Sequence, residues 1–129
     1  QFPVTIEHIA RGPALVRVAL RIDEQNTLKA TLTQESAQLL GLNVGERALA
    51  LFKATSVEIA HALEPVKGSC ILTGTVIRTA RRDKGGEVTL RLAGGTSLVG
   101  FAHAGHGLEL GGRAQARVTA QSVVVAQIA

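Results

Sequence analysis

The chain has 129 residues, 46% of them apolar, enough to fill the core of one domain or two very small ones and to exclude a disordered tail. Aromatics are 2%, three Phe with no Trp or Tyr, which argues against a base-stacking surface for single-stranded nucleic acid. A scattered net charge of +4 favours anionic partners only mildly, and the single Cys70 excludes an intrachain disulfide and gives no basis for a thiolate zinc site.

In chain order, Val4 to Ile9 reads as a short strand. Val16, Val18, Leu20 and Ile22 alternate with Arg17, Ala19 and Arg21, the pattern of a half-buried strand. Leu28 to Leu32 follows as a third strand. A short helix is predicted next: Thr33 caps it, Glu35 lies in its first turn, and Gly41 stops it after Leu39-Leu40. Arg47 to Lys53 and Val57 to His61 complete five strands.

The pattern then repeats. Arg17-Val18-Ala19-Leu20 and Thr27-Leu28 answer to Glu87-Val88-Thr89-Leu90 and Ser97-Leu98 at an offset of 70. Leu42-x-x-Gly45-x-x-Ala48-x-Ala50 answers to Leu108-x-x-Gly111-x-x-Ala114-x-Ala116 at an offset of 66, so the second copy is shorter by four residues. The copies span 1–62 and 67–129, joined through Pro65. Each is marginal at that size, which predicts a shared core or a dimer. Five short strands and one short helix per copy predict two tandem barrels of the oligonucleotide/oligosaccharide-binding (OB) type, all-β apart from the helix. In the second copy Ala104-Gly105-His106-Gly107 weakens that helix. Gly85-Gly86 and Gly94-Gly95 read as hairpin turns.

Few residues point to chemistry. Thr33-x-x-Ser36 alone reads as a helix cap, and the alternative is an anion site at the helix start. Lys53 ends an apolar strand. It either leaves the barrel rim into water or holds an oxyanion, and its counterpart Thr119 shows that the strand does not need the charge. His103-x-x-His106 lacks a third metal ligand, so no metal site is expected. Cys70 reads as a buried inert thiol, and Arg78, Arg81, Arg82 and Lys84 as a solvated basic loop. No P-loop, nucleophile elbow or carboxylate pair is present, so no catalytic residues and no enzyme activity are expected.

The stretch Thr27-Leu28-Lys29-Ala30-Thr31-Leu32-Thr33-Gln34-Glu35-Ser36, then Leu40-Gly41-Leu42-x-x-Gly45 and Phe52-Lys53-Ala54-Thr55-Ser56-Val57, resembles the Mop domain, also called TOBE. The second copy supports this with Ile71-Leu72-Thr73-Gly74-Thr75-Val76 and Ala120-Gln121-Ser122-Val123. Modules of this family bind molybdate and tungstate. The resemblance implies molybdate or tungstate as ligand, held by Thr33, Ser36, Lys53, Ala54 and Leu15 at an interface between copies of the chain. The expected assembly is a homodimer, with a homotrimer as alternative.

The tandem form resembles the sensor half of the molybdate-responsive transcriptional regulators and the storage molbindins. Copy two has Thr119 for the Lys and His103 and His106 at the places of Thr33 and Ser36. This degenerate copy favours the sensor role, with storage or the TOBE region of a transporter ATPase as alternatives. The family opens each copy with Ser-Ala-Arg-Asn. Copy one begins at Gln1-Phe2, just after that motif, and copy two has Lys67-Gly68-Ser69-Cys70 there. In the sensor role DNA binding falls to a winged-helix half preceding this chain, which itself contacts no DNA. No apolar run approaches the roughly 20 residues that span a bilayer and no signal peptide is visible, so a cytoplasmic protein with no membrane partner is expected.

Overall fold

The computed structural model describes residues 2–79, 81 and 83–128 of the chain. Ten strands carry the fold: β1 (Phe2–Arg11), β2 (Leu15–Arg21), β3 (Thr27–Thr33), β4 (Arg47–Leu51), β5 (Val57–Ala60), β6 (Ser69–Arg78), β7 (Gly86–Leu92), β8 (Ser97–Ala102), β9 (Arg113–Thr119) and β10 (Val124–Gln127). One helix, α1 (Gln34–Leu40), follows β3, and two 3₁₀ turns, Ala54–Ser56 and Ala120–Ser122, precede β5 and β10. The predicted cap and stop are both present: Thr33 caps α1, and Gly41 ends it in the left-handed region at φ 58°. The second repeat departs from the expected one helix per copy. Its residues between β8 and β9 form turns and irregular chain, because two glycines in four residues raise the helix cost too far.

The two repeats exchange their last strands. β1 to β4 form a five-stranded sheet with β10, in the order β10-β4-β1-β2-β3. β6 to β9 close into a barrel with β5, in the order β5-β8-β7-β6-β9. In space each unit therefore holds four strands of one repeat and the fifth of the other. Gly100 permits the closure. A Cβ there would lie 2.7–2.8 Å from the side chains of Val57 and Ile59 on β5, which fill the space instead. Ala30 occupies the equivalent place on β3, and no ladder joins β3 to β10.

Both repeats carry a β-bulge in their first strand. Register shifts between Ile6 and His8 against β2, and between Val76 and Arg78 against β7. The extra residue turns His8 to the outer face, where strict alternation after Val4 and Ile6 would bury it. Inward residues of both units merge into one apolar cluster, from Val4, Ile6 and Leu20 to Leu72, Leu90 and Val118.

One polar link fastens the units. Asn26 is the one fully buried polar residue among those described, and its Oδ1 accepts a hydrogen bond from the Thr73 N–H at 2.8 Å. Asp23 caps the same loop. Its carboxylate accepts from the N–H groups of Gln25 (2.8 Å) and Asn26 (2.9 Å), and from Gly94 N–H of the other unit at 3.1 Å. Burial raises the Asp23 pKa, but these bonds outweigh it and hold the carboxyl below its ordinary 3.8. Their contribution is thus present above about pH 3.8 and is lost as pH falls through the lowered folded value. Asn26→Ala leaves the Thr73 N–H unpaired and is expected to destabilise by about 1–3 kcal/mol in urea unfolding at pH 7. An unchanged midpoint would remove this link from the account.

Candidate functional site

Three of the five predicted binding residues meet at one corner. Leu15 pairs with Thr33 across β2 and β3, and it is exposed. Thr33 Oγ1 accepts from the Ser36 N–H at 3.1 Å and donates to Ser36 Oγ at 3.0 Å. The cap reading of Thr33 is therefore realised, and its hydroxyl is engaged within the chain. The Ser36 hydroxyl proton is left to donate outward. Gln34 braces the corner, donating from Nε2 to Gly12 O at 2.7 Å.

Lys53 and Ala54 lie elsewhere. They follow β4, and β1 and β2 separate β4 from β3 in the sheet. Lys53 is exposed at the start of the first 3₁₀ turn, without a side-chain cap bond, and Ala54 is half-buried. That turn packs against β8 of the barrel, while the second turn, Ala120–Ser122, packs against β3. One chain thus does not bring Lys53 and Ala54 to Thr33 and Ser36.

The two histidines of the second repeat are also divided. His103 Nε2 stands 3.6 Å from Glu58 Oε2, whereas His106 Nδ1 accepts from the Leu108 N–H at 2.9 Å. Among the described residues no group of three His, Cys, Asp or Glu is placed to hold a metal. His103 lines a 320 Å³ pocket with Thr55, Ser56, Phe101 and the ion pair Arg117–Glu58, 2.6 Å apart. That carboxylate neutralises the pocket's guanidinium, which leaves it poorly suited to an anion. Cys70 is buried, its thiol donates to Val118 O at 3.7 Å, and burial pushes its pKa up, against the opposing effect of Lys29. It is the inert protonated thiol expected. In the basic loop Arg81 pairs with Asp83 at 3.2 Å, and Arg82 lies outside the described residues.

The larger cleft, of 630 Å³, lies between the units. One wall is the outer face of β1 to β3, with His8, Arg17 and Lys29. The other is Lys67 to Ser69 and Thr119 to Gln121 from the second repeat. Leu15 lines it too. No carboxylate lines it, and among the described residues Arg17, Lys29 and Lys67 form no ion pair. Sequence reading missed these four bases as a group. Arg17 was visible only as the polar phase of a half-buried strand, and no local signal assigns that phase to a cleft.

Residues 1–59 match the family model of the TOBE domain. No curated protein matches the chain. Among solved structures, it is similar to the cytoplasmic molybdate-binding protein ModG in a form with molybdate bound. The two are 29% identical, with a TM-score of 0.86 over 98% of this chain and 94% of that one. The OB-like architecture expected from the sequence is shared with that structure.

The cap bond uses the backbone of Ser36 and the side chain of Thr33. Thr33→Ala is therefore expected to cost about 1 kcal/mol of stability in thermal unfolding, and Ser36→Ala much less. Equal losses would contradict the assigned cap.

Proposed function

We propose that this chain binds molybdate or tungstate and is a binding protein, not an enzyme. The observation that carries this reading is the end-to-end likeness to ModG, described as a cytoplasmic molybdate-binding protein, at 29% identity. A tetrahedral dianion offers only oxygen acceptors, so hydroxyls, backbone N–H groups and an ammonium suffice to hold it. Leu15, Thr33 and Ser36 supply one half of such a site, and Lys53 and Ala54 the other. Since they stand at separate exposed corners, the complete site forms between two copies of the chain, with a homodimer as the simplest assembly. Sulfate has the same charge and shape as molybdate but is smaller, so rigidity of that seat sets the choice.

Two roles share this chemistry. Cytoplasmic storage or buffering is one, in line with the likeness to ModG, described as a cytoplasmic molybdate-binding protein. The degenerate second repeat, with Thr119 for Lys and two His for Thr and Ser, favours ligand sensing for a transcriptional regulator that contacts DNA through a separate winged-helix part. No helix among the described residues is long and apolar enough to cross a membrane.

Calorimetric titration with molybdate, with sulfate as control, tests the reading. Molybdate is expected to bind and sulfate to be ignored. Lys53→Ala removes the one ammonium of this site and is expected to weaken molybdate about tenfold or more. Unchanged affinity would overturn the site, and a chain indifferent to molybdate would overturn the function.

A further inference from the structure

Closure of the barrel sets three unlike side chains in one row on its outer face. Glu58 on β5 pairs with Phe101 on β8 and with Arg117 on β9. Residues paired across a ladder share a face, with about 4.8 Å from strand to strand. A half-buried carboxylate therefore stands between an exposed phenyl ring and a guanidinium. Arg117 is held twice: Nη2 donates to Glu58 Oε1 at 2.6 Å, and Nη1 donates to Glu64 O at 2.8 Å. Glu58 Oε2 lies towards the exposed His103, 3.6 Å from its Nε2. The row lines the 320 Å³ pocket together with Thr55 and Ser56.

The first repeat builds the same place without these groups. There β10 and β4 pair as Val124–Leu51, at the positions of Glu58 and Arg117, and Thr31 stands for Phe101. An aliphatic pair thus suffices for the ladder, and a partly exposed ion pair adds little stability of its own. What the row does offer is an acceptor oxygen beside an aromatic face. Arg117 offsets the charge of Glu58, so the place favours an uncharged ligand over an anion or a cation. A single phenyl ring suits one base and not a strand of them.

We propose that this pocket binds an uncharged planar heterocycle whose edge carries adjacent N–H donors, as guanine does. The ring stacks on Phe101, and its N–H groups donate to Glu58, whose oxygens keep free lone pairs beyond the bond to Arg117. Arg117 fixes the carboxylate in place, and Thr55 and Ser56 supply hydroxyls for the ring's own acceptors. The site uses neither Lys53 nor Thr33 and needs no second copy, so it does not rest on the oxyanion reading.

Equilibrium dialysis of the chain against guanosine and adenosine tests this. Both probes are uncharged, so neither competes for an oxyanion seat. Guanosine is expected to bind, and adenosine, whose edge lacks adjacent donors, about tenfold or more weakly. Glu58→Gln keeps the shape but turns an amide N–H₂ towards the ligand's donors. The double variant Glu58→Val with Arg117→Leu writes in the pair that the first repeat already uses, so the ladder has a precedent for it. Each is expected to weaken guanosine about tenfold or more, with a smaller loss for Phe101→Thr and none for Lys53→Ala. The site is overturned if guanosine does not bind, if adenosine binds as tightly, or if both Glu58 variants bind guanosine as the parent does. Molybdate binding without guanosine binding would sink this site and leave the oxyanion reading standing. Guanosine binding without molybdate binding would do the reverse.

Discussion

The exchange of β5 and β10 is the constraint on which the rest of the structure depends. Each unit lacks one strand until the other repeat supplies it, so neither half completes its ladder alone. The exchange also carries each 3₁₀ turn across. The turn before β5 packs on β8, and the turn before β10 packs on β3. The cleft between the β1 to β3 face and the second repeat is a direct product of that crossing. Lys53, at the start of the first turn, is carried towards β8 and away from Thr33. The Asp23–Asn26 loop fastens the units at their other contact, where it bonds Gly94 and Thr73.

This arrangement divides the sequence into two kinds of position. Inward residues keep one continuous core, and their alternation matches between repeats: Val18 and Leu20 against Val88 and Leu90. Outward residues are free to differ, because a half-exposed pleat accepts Arg17 or Glu87, Lys29 or Val99. Chemistry can therefore diverge on equivalent faces without disturbing the fold. The first repeat displays three bases around Ala19, and the second Arg78, a carboxylate and a phenyl ring around Thr89. The equivalent faces of the two units thus differ in charge.

Much of the fold was legible because it rests on local rules. Alternation along Val16 to Ile22 marks β2, and the Thr33 and Gly41 signals mark both ends of α1. The glycines at Gly105 and Gly107 account for the helix missing from the second repeat. Strand partners were not legible. Val57 to Ala60 and Val124 to Gln127 follow matching sequence patterns, so apolar pattern alone suits either one to β4. The bulge that turns His8 outward gives no signal in composition either, and it depends on pairing with β2. The corner of Leu15, Thr33 and Ser36 was readable by resemblance. Arg17, Lys29 and Lys67 became a group only once the exchange brought distant segments together.

The most direct test of this account is anomalous scattering from crystals of the chain grown with tungstate, which places each bound anion directly. The account predicts tungsten peaks beside Lys53 at a contact between two copies. Tungsten absent from the surroundings of Lys53, Thr33 and Ser36 would contradict it.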